Sequence, residues 1–338
     1  MSATTLIASA GTAAAVAGVG TVVATRLLRR RAILDHPTDR SSHRVAVPRG
    51  GGAALAVAAL AGMAVAAGRL AALPAAALAV AGVGAGALGL AVSLRLAGQL
   101  VVAGAAGALV GAVAPWAPVV SALAGAATAV WIAGFTNATN FMDGIDGLIA
   151  GQAVVAGCAL SLAGAHVHDG TVEVGGLVVA AAALGFAPSN VPRAHVFLGD
   201  VGSYFVGAWL AALAALAVTA TVSPVTALAP LAVIGADAGL TLARRLARHE
   251  PVHLPHRQHA YQRLVDGGWS HPATTGVVTA TSIACAGLGW VALGAPVATQ
   301  VAVAAGVGAV ACCYLALPAL VLRGGRAAIA HASREVAG

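Results

Sequence analysis

The sequence contains no lysine, and charged residues of either sign make up only 9% of its 338 positions. A soluble domain carries roughly 25% charged residues, so this chain has too little polar surface to stay dispersed in water. Aromatic residues are scarce too, at 4%, which leaves no stacking platform for nucleic-acid bases. Its four cysteines, Cys158, Cys285, Cys312 and Cys313, all lie inside apolar runs. There they read as small hydrophobes rather than as a disulfide framework or a ligand set. What the chain has in excess is apolar residues, at 59%, and glycine, at 43 residues. Soluble globular, disordered, nucleic-acid-binding and disulfide-rich classes are thereby excluded, and a polytopic membrane protein is left.

A helix needs roughly 20 apolar residues to cross a bilayer. On that basis spans are predicted at 4–28, 51–68, 71–92, 98–113, 117–138, 147–165, 173–189, 202–220, 222–243, 273–293 and 296–322. The expected fold is therefore an all-α polytopic integral membrane protein with about 11 transmembrane helices. Residues 1–322 form one membrane domain and 323–338 a cytoplasmic tail. No basic residue precedes the first run, and Arg29, Arg30 and Arg31 follow it directly. That charge order is the reverse of a signal peptide's, so the run is expected to stay as an anchor with its N-terminus outside. Alternate connections (29–50, 93–97, 139–146, 190–201, 244–272) and the C-terminal tail then become cytoplasmic. Together with Arg26 they hold 17 of the 18 arginines, leaving only Arg69 outside.

The 11 acidic residues are concentrated on the same side. Carboxylates beside apolar spans are costly to hold and read as functional by default. Four segments carry them with other polar groups. The first, Asp35 to Gly52, joins Arg40, His43, Arg44 and Arg49 to a glycine run. It suits phosphate oxygens, because arginine offers a fixed fork of donors and glycine lets backbone N–H groups approach; a plain topology-setting loop is the alternative. In the second, Asn137, Asn140, Asp143 and Asp146 recur every three residues. If helical, that spacing lines two amides and two carboxylates along one side, a surface suited to Mg²⁺ and a polar substrate. The third follows Asn190 and places Asp200 between Gly199 and Gly202, with Ser203 at the start of a span. It can bind an anion, or Asp200 simply caps its helix. The fourth has His256 and His259 bracketing Arg257, after Asp237 and Arg244–Arg245. Arginine interleaved with histidine fits a diphosphate better than zinc, which would want a more regular ligand set.

Taken together, these segments resemble the polyprenyl-phosphate N-acetylhexosamine-1-phosphate transferases, the glycosyltransferase family 4 superfamily that also includes the MurNAc-pentapeptide phosphotransferases. The family pattern D-x-P-x-x-R-x-x-H-x-x-x-x-P-R-x-G-G is met by Asp35, Pro37, Arg40, His43, Pro48, Arg49, Gly51 and Gly52. N-x-x-N-x-x-D-G-x-D-G-L is met by Asn137, Asn140, Asp143, Gly144, Asp146, Gly147 and Leu148, and G-D-x-G-S by Gly199, Asp200, Gly202 and Ser203. The late elements are met by Asp237, Arg244, Arg245, His256, Arg257, His259, Tyr261, Gln262 and Leu264. The histidine loop looks more like the O-antigen-type branch of the family.

The resemblance implies transfer of an N-acetylhexosamine-1-phosphate from a UDP-sugar to undecaprenyl phosphate, with release of UMP, in cell-envelope polysaccharide synthesis. It implies a bacterial inner-membrane enzyme with its site on the cytoplasmic face, dependent on Mg²⁺ with Mn²⁺ as the alternative ion. Asp143, Asp146 and Asp200 would be the catalytic residues, Asp200 and Asp143 also the metal ligands. Arg40, His43, Arg49, Asn137, Asn140, Asn190, Ser203, His256, Arg257 and His259 would bind substrate. The partners implied are the UDP-N-acetylhexosamine, undecaprenyl phosphate and membrane lipid, without nucleic acid. The Ala- and Gly-rich spans permit close helix packing, within one chain or across a homodimer. One departure stands out: where the family carries an Asp-Asp pair, fourteen residues before Gln99, this chain has Ala85 and Gly86. That substitution keeps open a second class, a relative that binds lipid phosphate or nucleotide-sugar without turnover.

Overall fold

The computed structural model describes residues 1–37, 45–66, 92–114, 116–252, 254 and 256–337. Described residues are nearly all helical. In order come α1 (Ala3–Arg30), strands β1 (Leu34–Asp35) and β2 (Val47–Pro48), α2 (Gly52–Val65), α3 (Val92–Val113), α4 (Pro118–Met142), α5 (Leu148–His166) and α6 (Gly170–Phe186). They are followed by α7 (Gly199–Thr219), α8 (Pro224–Leu228), α9 (Ala232–Ala247), α10 (Ala260–Asp266), α11 (His271–Val291) and α12 (Val297–Ala337). Eight helical stretches among the described residues are long and apolar enough to cross a membrane. The chain is a polytopic integral membrane protein.

Packing follows from composition. Helix α7 is apolar on every side and lies at the centre, with Phe205, Trp209, Leu210 and Leu213 wholly buried. A helix hydrophobic all round belongs inside a bundle. It packs on α4, α2, α5 and α6. Two indole N–H groups tie it to its neighbours, Trp209 to the Gly175 carbonyl at 2.9 Å and Trp131 to the Ala211 carbonyl at 3.0 Å. The peripheral helices turn large apolar side chains outward instead, such as Ile7 and Val19 on α1, Val119 and Val130 on α4, and Val297 and Val301 on α12. This inversion is what a hydrocarbon solvent selects. At the inner contact between α2 and α7, a Cβ on Gly52 would overlap the Cα of Gly202. Glycine at both positions therefore lets two backbones touch, which draws Arg49 towards Asp200.

Several predicted boundaries move. The span at 71–92 lies outside the described residues except for Val92, which begins α3, and Ala85 and Gly86 lie outside them too. The connection drawn at 93–97 belongs to α3, because no glycine or proline interrupts the helix there. The run at 222–243 is broken into α8, a 3-10 turn at Ala229–Leu231 and α9. The break contains Pro230, which lacks the N–H a continuous helix would need. The tail from 323 continues the helical backbone of α12 to Ala337. The histidine segment contains a short helix of its own, α10.

Candidate functional site

The first and third sequence segments are joined by backbone. Strands β1 and β2 pair antiparallel, Leu34 with Pro48 and Asp35 with Val47, and Arg49 then bridges to Phe197 in parallel. The N–H groups of Gly50 and Gly51 reach the Phe197 carbonyl at 3.2 and 2.9 Å, and Phe197 N–H returns to the Pro48 carbonyl at 2.8 Å. This seam sets the Arg49 guanidinium 2.7 Å from the Asp200 carboxylate at the start of α7. The last turn of α4 supplies Asn140, whose amide donates to Asp200 Oδ1 at 3.2 Å and to Ser203 Oγ at 2.9 Å.

Helix α4 ends at Met142, so Asp143 is its C-cap and Asp146 lies in the turn beyond. The three-residue spacing is therefore helical only as far as Asn140. Gly147 takes φ of 78°, a left-handed conformation that glycine adopts without strain, and starts α5. Its N–H donates to Asn190 Oδ1 at 2.8 Å, while the Asn190 amide donates to the Val196 carbonyl at 3.0 Å. Asn190 thus holds two loops together with both ends of its side chain. Asp146 Oδ2 lies 3.2 Å from His271 Nδ1, and its carbonyl accepts from Thr275 Oγ1 at 2.7 Å. From α10, the Tyr261 hydroxyl donates to the Phe141 carbonyl at 3.1 Å. A Cβ on Gly144 would collide with that hydroxyl, so glycine there admits the tyrosine.

These elements enclose a cavity of about 300 Å³ whose wall includes Asp35, Arg49, Asn140, Asp143, Asp146, Asn190, Asp200, Arg257 and Gln262. Four carboxylates face two guanidinium-bearing residues there. Desolvation, reinforced by the negative charge of Asp200, raises the Asp143 pKa to about 7 against the opposing pull of Arg49. Burial works to lower the Arg49 pKa, but the adjacent Asp200 outweighs it and the net movement is upward. Among the described residues no group of three or more His, Cys, Asp or Glu side chains could hold a metal ion. Mg²⁺ does not require one, since it takes one or two carboxylates and completes its shell with phosphate oxygens and water. Asp143 and Asp200, whose mutual repulsion a cation would relieve, fit that requirement.

Not every residue singled out in the sequence arrives at the cavity. Arg40 and His43 lie outside the described residues. Asn137 turns away along α4, donating to Gln99 Oε1 on α3 at 2.7 Å and to the Ala133 carbonyl at 2.8 Å. Ser203 is fully buried, and its hydroxyl meets the site through the Asn140 amide at 2.9 Å and the Gly199 and Asp200 carbonyls at 3.3 and 3.4 Å. Of His256, Arg257 and His259, only Arg257 is on the cavity wall, with Nη2 2.7 Å from Asp266 Oδ1. His259 is buried against Asp237 at 3.2 Å, and its ring lies 4.9 Å from that of His256. Burial, helped by His259 and Arg245, lowers the His256 pKa to about 4 and leaves it neutral near pH 7. Asp35 and Gln262 were visible as motif members without a role, and the structure gives both a place on the wall. His271 has no motif and no spacing relation to Asp146, so nothing local in the sequence marks it.

Part of the chain is similar to known proteins. A family model described as glycosyl transferase family 4 matches residues 68–218. A probable undecaprenyl-phosphate N-acetylglucosaminyl 1-phosphate transferase of Bacillus subtilis is 32% identical over 147 residues, 43% of this chain and 41% of the relative. A decaprenyl-phosphate N-acetylglucosaminephosphotransferase of Mycobacterium leprae is 33% identical over 157 residues, 40% of this chain and 39% of the relative. A phospho-N-acetylmuramoyl-pentapeptide-transferase of Leuconostoc citreum is 41% identical over 81 residues, 24% of this chain and 25% of the relative. The chain thus spans no more than about two fifths of the length of these curated relatives.

Proposed function

We propose that this chain, whose residues 68–218 match the glycosyl transferase family 4 model, transfers an N-acetylhexosamine-1-phosphate from a UDP-sugar to a polyprenyl phosphate such as undecaprenyl phosphate. The product would be a lipid-diphosphate-sugar of the O-antigen type for a cell-envelope polysaccharide. The site would face the cytoplasm of a bacterial inner membrane, with the N-terminus outside, as the arginine distribution supports. The observation that carries this reading is the single cavity that brings Arg49, Asn140, Asp143 and Asp200 together from three of the sequence segments. A homodimer is compatible with the small-residue helix faces.

In the reaction an oxygen of the lipid phosphate attacks the sugar-bearing phosphorus of the UDP-sugar. A new P–O–P bridge forms, the old bridge breaks on that phosphorus, and UMP leaves with the bridging oxygen. Such transfers rest on positioning and charge neutralisation. Asp143 and Asp200 would hold Mg²⁺ or Mn²⁺, which supplies neutralisation of the crowded phosphate charge. Arg49 is positioned by Asp200 and by the Phe197 seam to meet a phosphate oxygen with its remaining donors. Arg257 approaches the cavity from the opposite motif and provides the second guanidinium. Asn140 fixes the orientation of Asp200 by donating to one of its oxygens, leaving the other for the ion. A lipid phosphate has a second pKa near ~6, so it is largely ionised at neutral pH and needs no general base.

The absent Asp-Asp pair supports a second reading, binding of lipid phosphate or nucleotide-sugar without turnover. Purified protein in lipid bilayers, given undecaprenyl phosphate, Mg²⁺ and a panel of UDP-N-acetylhexosamines, separates the two. UMP release that requires both lipid phosphate and metal is the expected result. Binding of a UDP-sugar without UMP release, beside an active relative, would replace transfer by the second reading.

A further inference from the structure

Helix α1 carries two opposite stripes. Ser9, Ala13, Ala17 and Thr21 are wholly buried, where Ala13 meets Gly62 of α2 and Ala17 meets Gly185 of α6. On the other side Val19, Val22, Val23 and Leu27 are exposed. Arg26 and Arg30 continue that outer stripe at helical spacing, Arg29 lies beside them, and all three are exposed. From Ala3 to Arg26 the helix rises about 34 Å at 1.5 Å per residue, slightly more than the roughly 30 Å hydrocarbon core of a bilayer. The three guanidinium groups therefore stand at headgroup level and face lipid rather than protein. Neither capping nor ion pairing accounts for them. The last carbonyls of α1 are satisfied by backbone, Leu27 by the Arg31 N–H at 3.0 Å, Leu28 by the Ile33 N–H at 2.9 Å and Arg29 by the Ala32 N–H at 3.1 Å. Among the described residues, Arg26, Arg29 and Arg30 take part in no ion pair.

We propose that this end of α1 binds one anionic phospholipid of the adjoining leaflet, with its phosphate held by Arg26, Arg29 and Arg30 and its acyl chains lying along Val19, Val22 and Val23. No residue of the cavity takes part, so the site is separate from the transferase reading. Arginine suits a phosphate because its planar fork donates two parallel bonds to two oxygens. Positions i, i+3 and i+4 bring three such forks to one turn of one face. Half of the hydrocarbon core is roughly 15 Å, or about ten residues of helix. The exposed valines, three to seven residues before Arg26, thus lie at the depth of acyl chains from that same leaflet. A soluble anion would meet hydrocarbon directly beneath the guanidinium groups, whereas a phospholipid offers charge and chain in the matching order. A zwitterionic headgroup brings its own cation to the phosphate, so the arginines favour an anionic one.

The full chain, purified in detergent, is titrated with phosphatidylglycerol, phosphatidylcholine or undecaprenyl phosphate, and bound lipid is counted by native mass spectrometry. One phosphatidylglycerol is expected to bind at least about tenfold more tightly than phosphatidylcholine. Arg26→Gln or Arg30→Gln should each weaken phosphatidylglycerol about fivefold, and the double variant should bring the preference within about twofold of none. Each single variant keeps three of the four arginines at this helix end, so it inserts and folds even if the double variant does not. Arg193 and Arg244 are exposed elsewhere, and Arg193→Gln/Arg244→Gln removes the same charge, so this control should leave the preference within about twofold of the wild type. An unchanged preference in the Arg26 and Arg30 variants would overturn the inference. So would an equal loss in the charge-matched control, which would mean diffuse attraction rather than a site. Displacement of phosphatidylglycerol from the wild type by equimolar undecaprenyl phosphate would also overturn it, by assigning the cluster to the polyprenyl lipid.

Discussion

Asp143 and Asp237 are both carboxylates kept out of bulk water, and their surroundings treat them in opposite ways. Asp237, 1% exposed on α9, is saturated. Its oxygens accept from the Ala260 N–H at 3.0 Å, from the Tyr314 hydroxyl at 2.8 Å and from Thr241 Oγ1 at 3.4 Å, with His259 Nδ1 at 3.2 Å. It joins α9, α10 and α12 and has no lone pair to spare for a ligand. Asp143 faces a cavity, accepts no hydrogen bond among the described residues, and is pushed towards its neutral form by desolvation and by Asp200. A buried carboxylate with every donor supplied serves the fold, while one left short of donors beside a second carboxylate is poised for a cation or a substrate.

The sharpest way to break this contrast is to neutralise one member of each cluster. Asp200→Asn should reduce UMP release by at least about a thousandfold, the scale of losing a group that stabilises developing charge. Its thermal midpoint should change little, because Asp200 is partly exposed and paired at the cavity edge. Asp237→Ala should do the reverse in kind. Removing the common acceptor strands a buried hydroxyl, a helix N–H and an imidazole, and costs about 3–5 kcal/mol of stability. Calorimetric unfolding in detergent, read beside turnover, checks both. Tyr314→Phe, which removes one donor of the set, should cost about 1–2 kcal/mol.

The pH dependence of stability sharpens the same comparison. Raising the Asp143 pKa from 3.8 to about 7 means that the folded protein holds a proton that the unfolded chain has released. Stability from this group is thus fully present below about pH 4 and falls as pH rises towards 7. Asp143→Asn carries no such titration. In metal-free detergent with EDTA, the variant should gain on the wild type by up to about 1.4 kcal/mol per pH unit across that window. A constant difference between the two across the window would show that Asp143 is not held towards its neutral form.

Legibility followed range. The membrane class was readable because hydropathy is a property of each run, and ten of the eleven predicted spans have a helix in place among the described residues. Asn140, Asp143 and Asp200 line one cavity, because short glycine-flanked segments at span ends leave few other places for them. What escaped depended on partners distant in sequence. Asn137 shares helical spacing with Asn140, yet the cavity opens only at the last turn of α4, and one turn earlier the face meets Gln99. His256 and His259 read as cationic ligands from composition, but Asp237, 22 residues before His259, pulls that ring inside. His271 is invisible to any local pattern because its partner is 125 residues away.

The smallest effect is expected where a carboxylate is neither saturated in the core nor exposed to the cavity. Asp169 precedes α6 and caps it, with Oδ1 accepting from the Val172 N–H at 2.9 Å. Its extended backbone and acidic side chain suit the positive end of the helix dipole, a contribution typically of about 1 kcal/mol. Asp169→Asn keeps an acceptor oxygen and gives up only the charge, so the loss should be a few tenths of a kcal/mol, with turnover and both KM values unchanged. Asp169→Ala should lose about 1 kcal/mol, again with kinetics unaltered. If either variant slowed UMP release as Asp200→Asn does, the active site could not be confined to the cavity bounded by Arg49, Asp143 and Asp200. Equal sensitivity at Asp169 and Asp200 would also contradict the topology expected from the arginine distribution, which puts them on opposite faces of the membrane, because one enzyme cannot draw a single substrate phosphate to both.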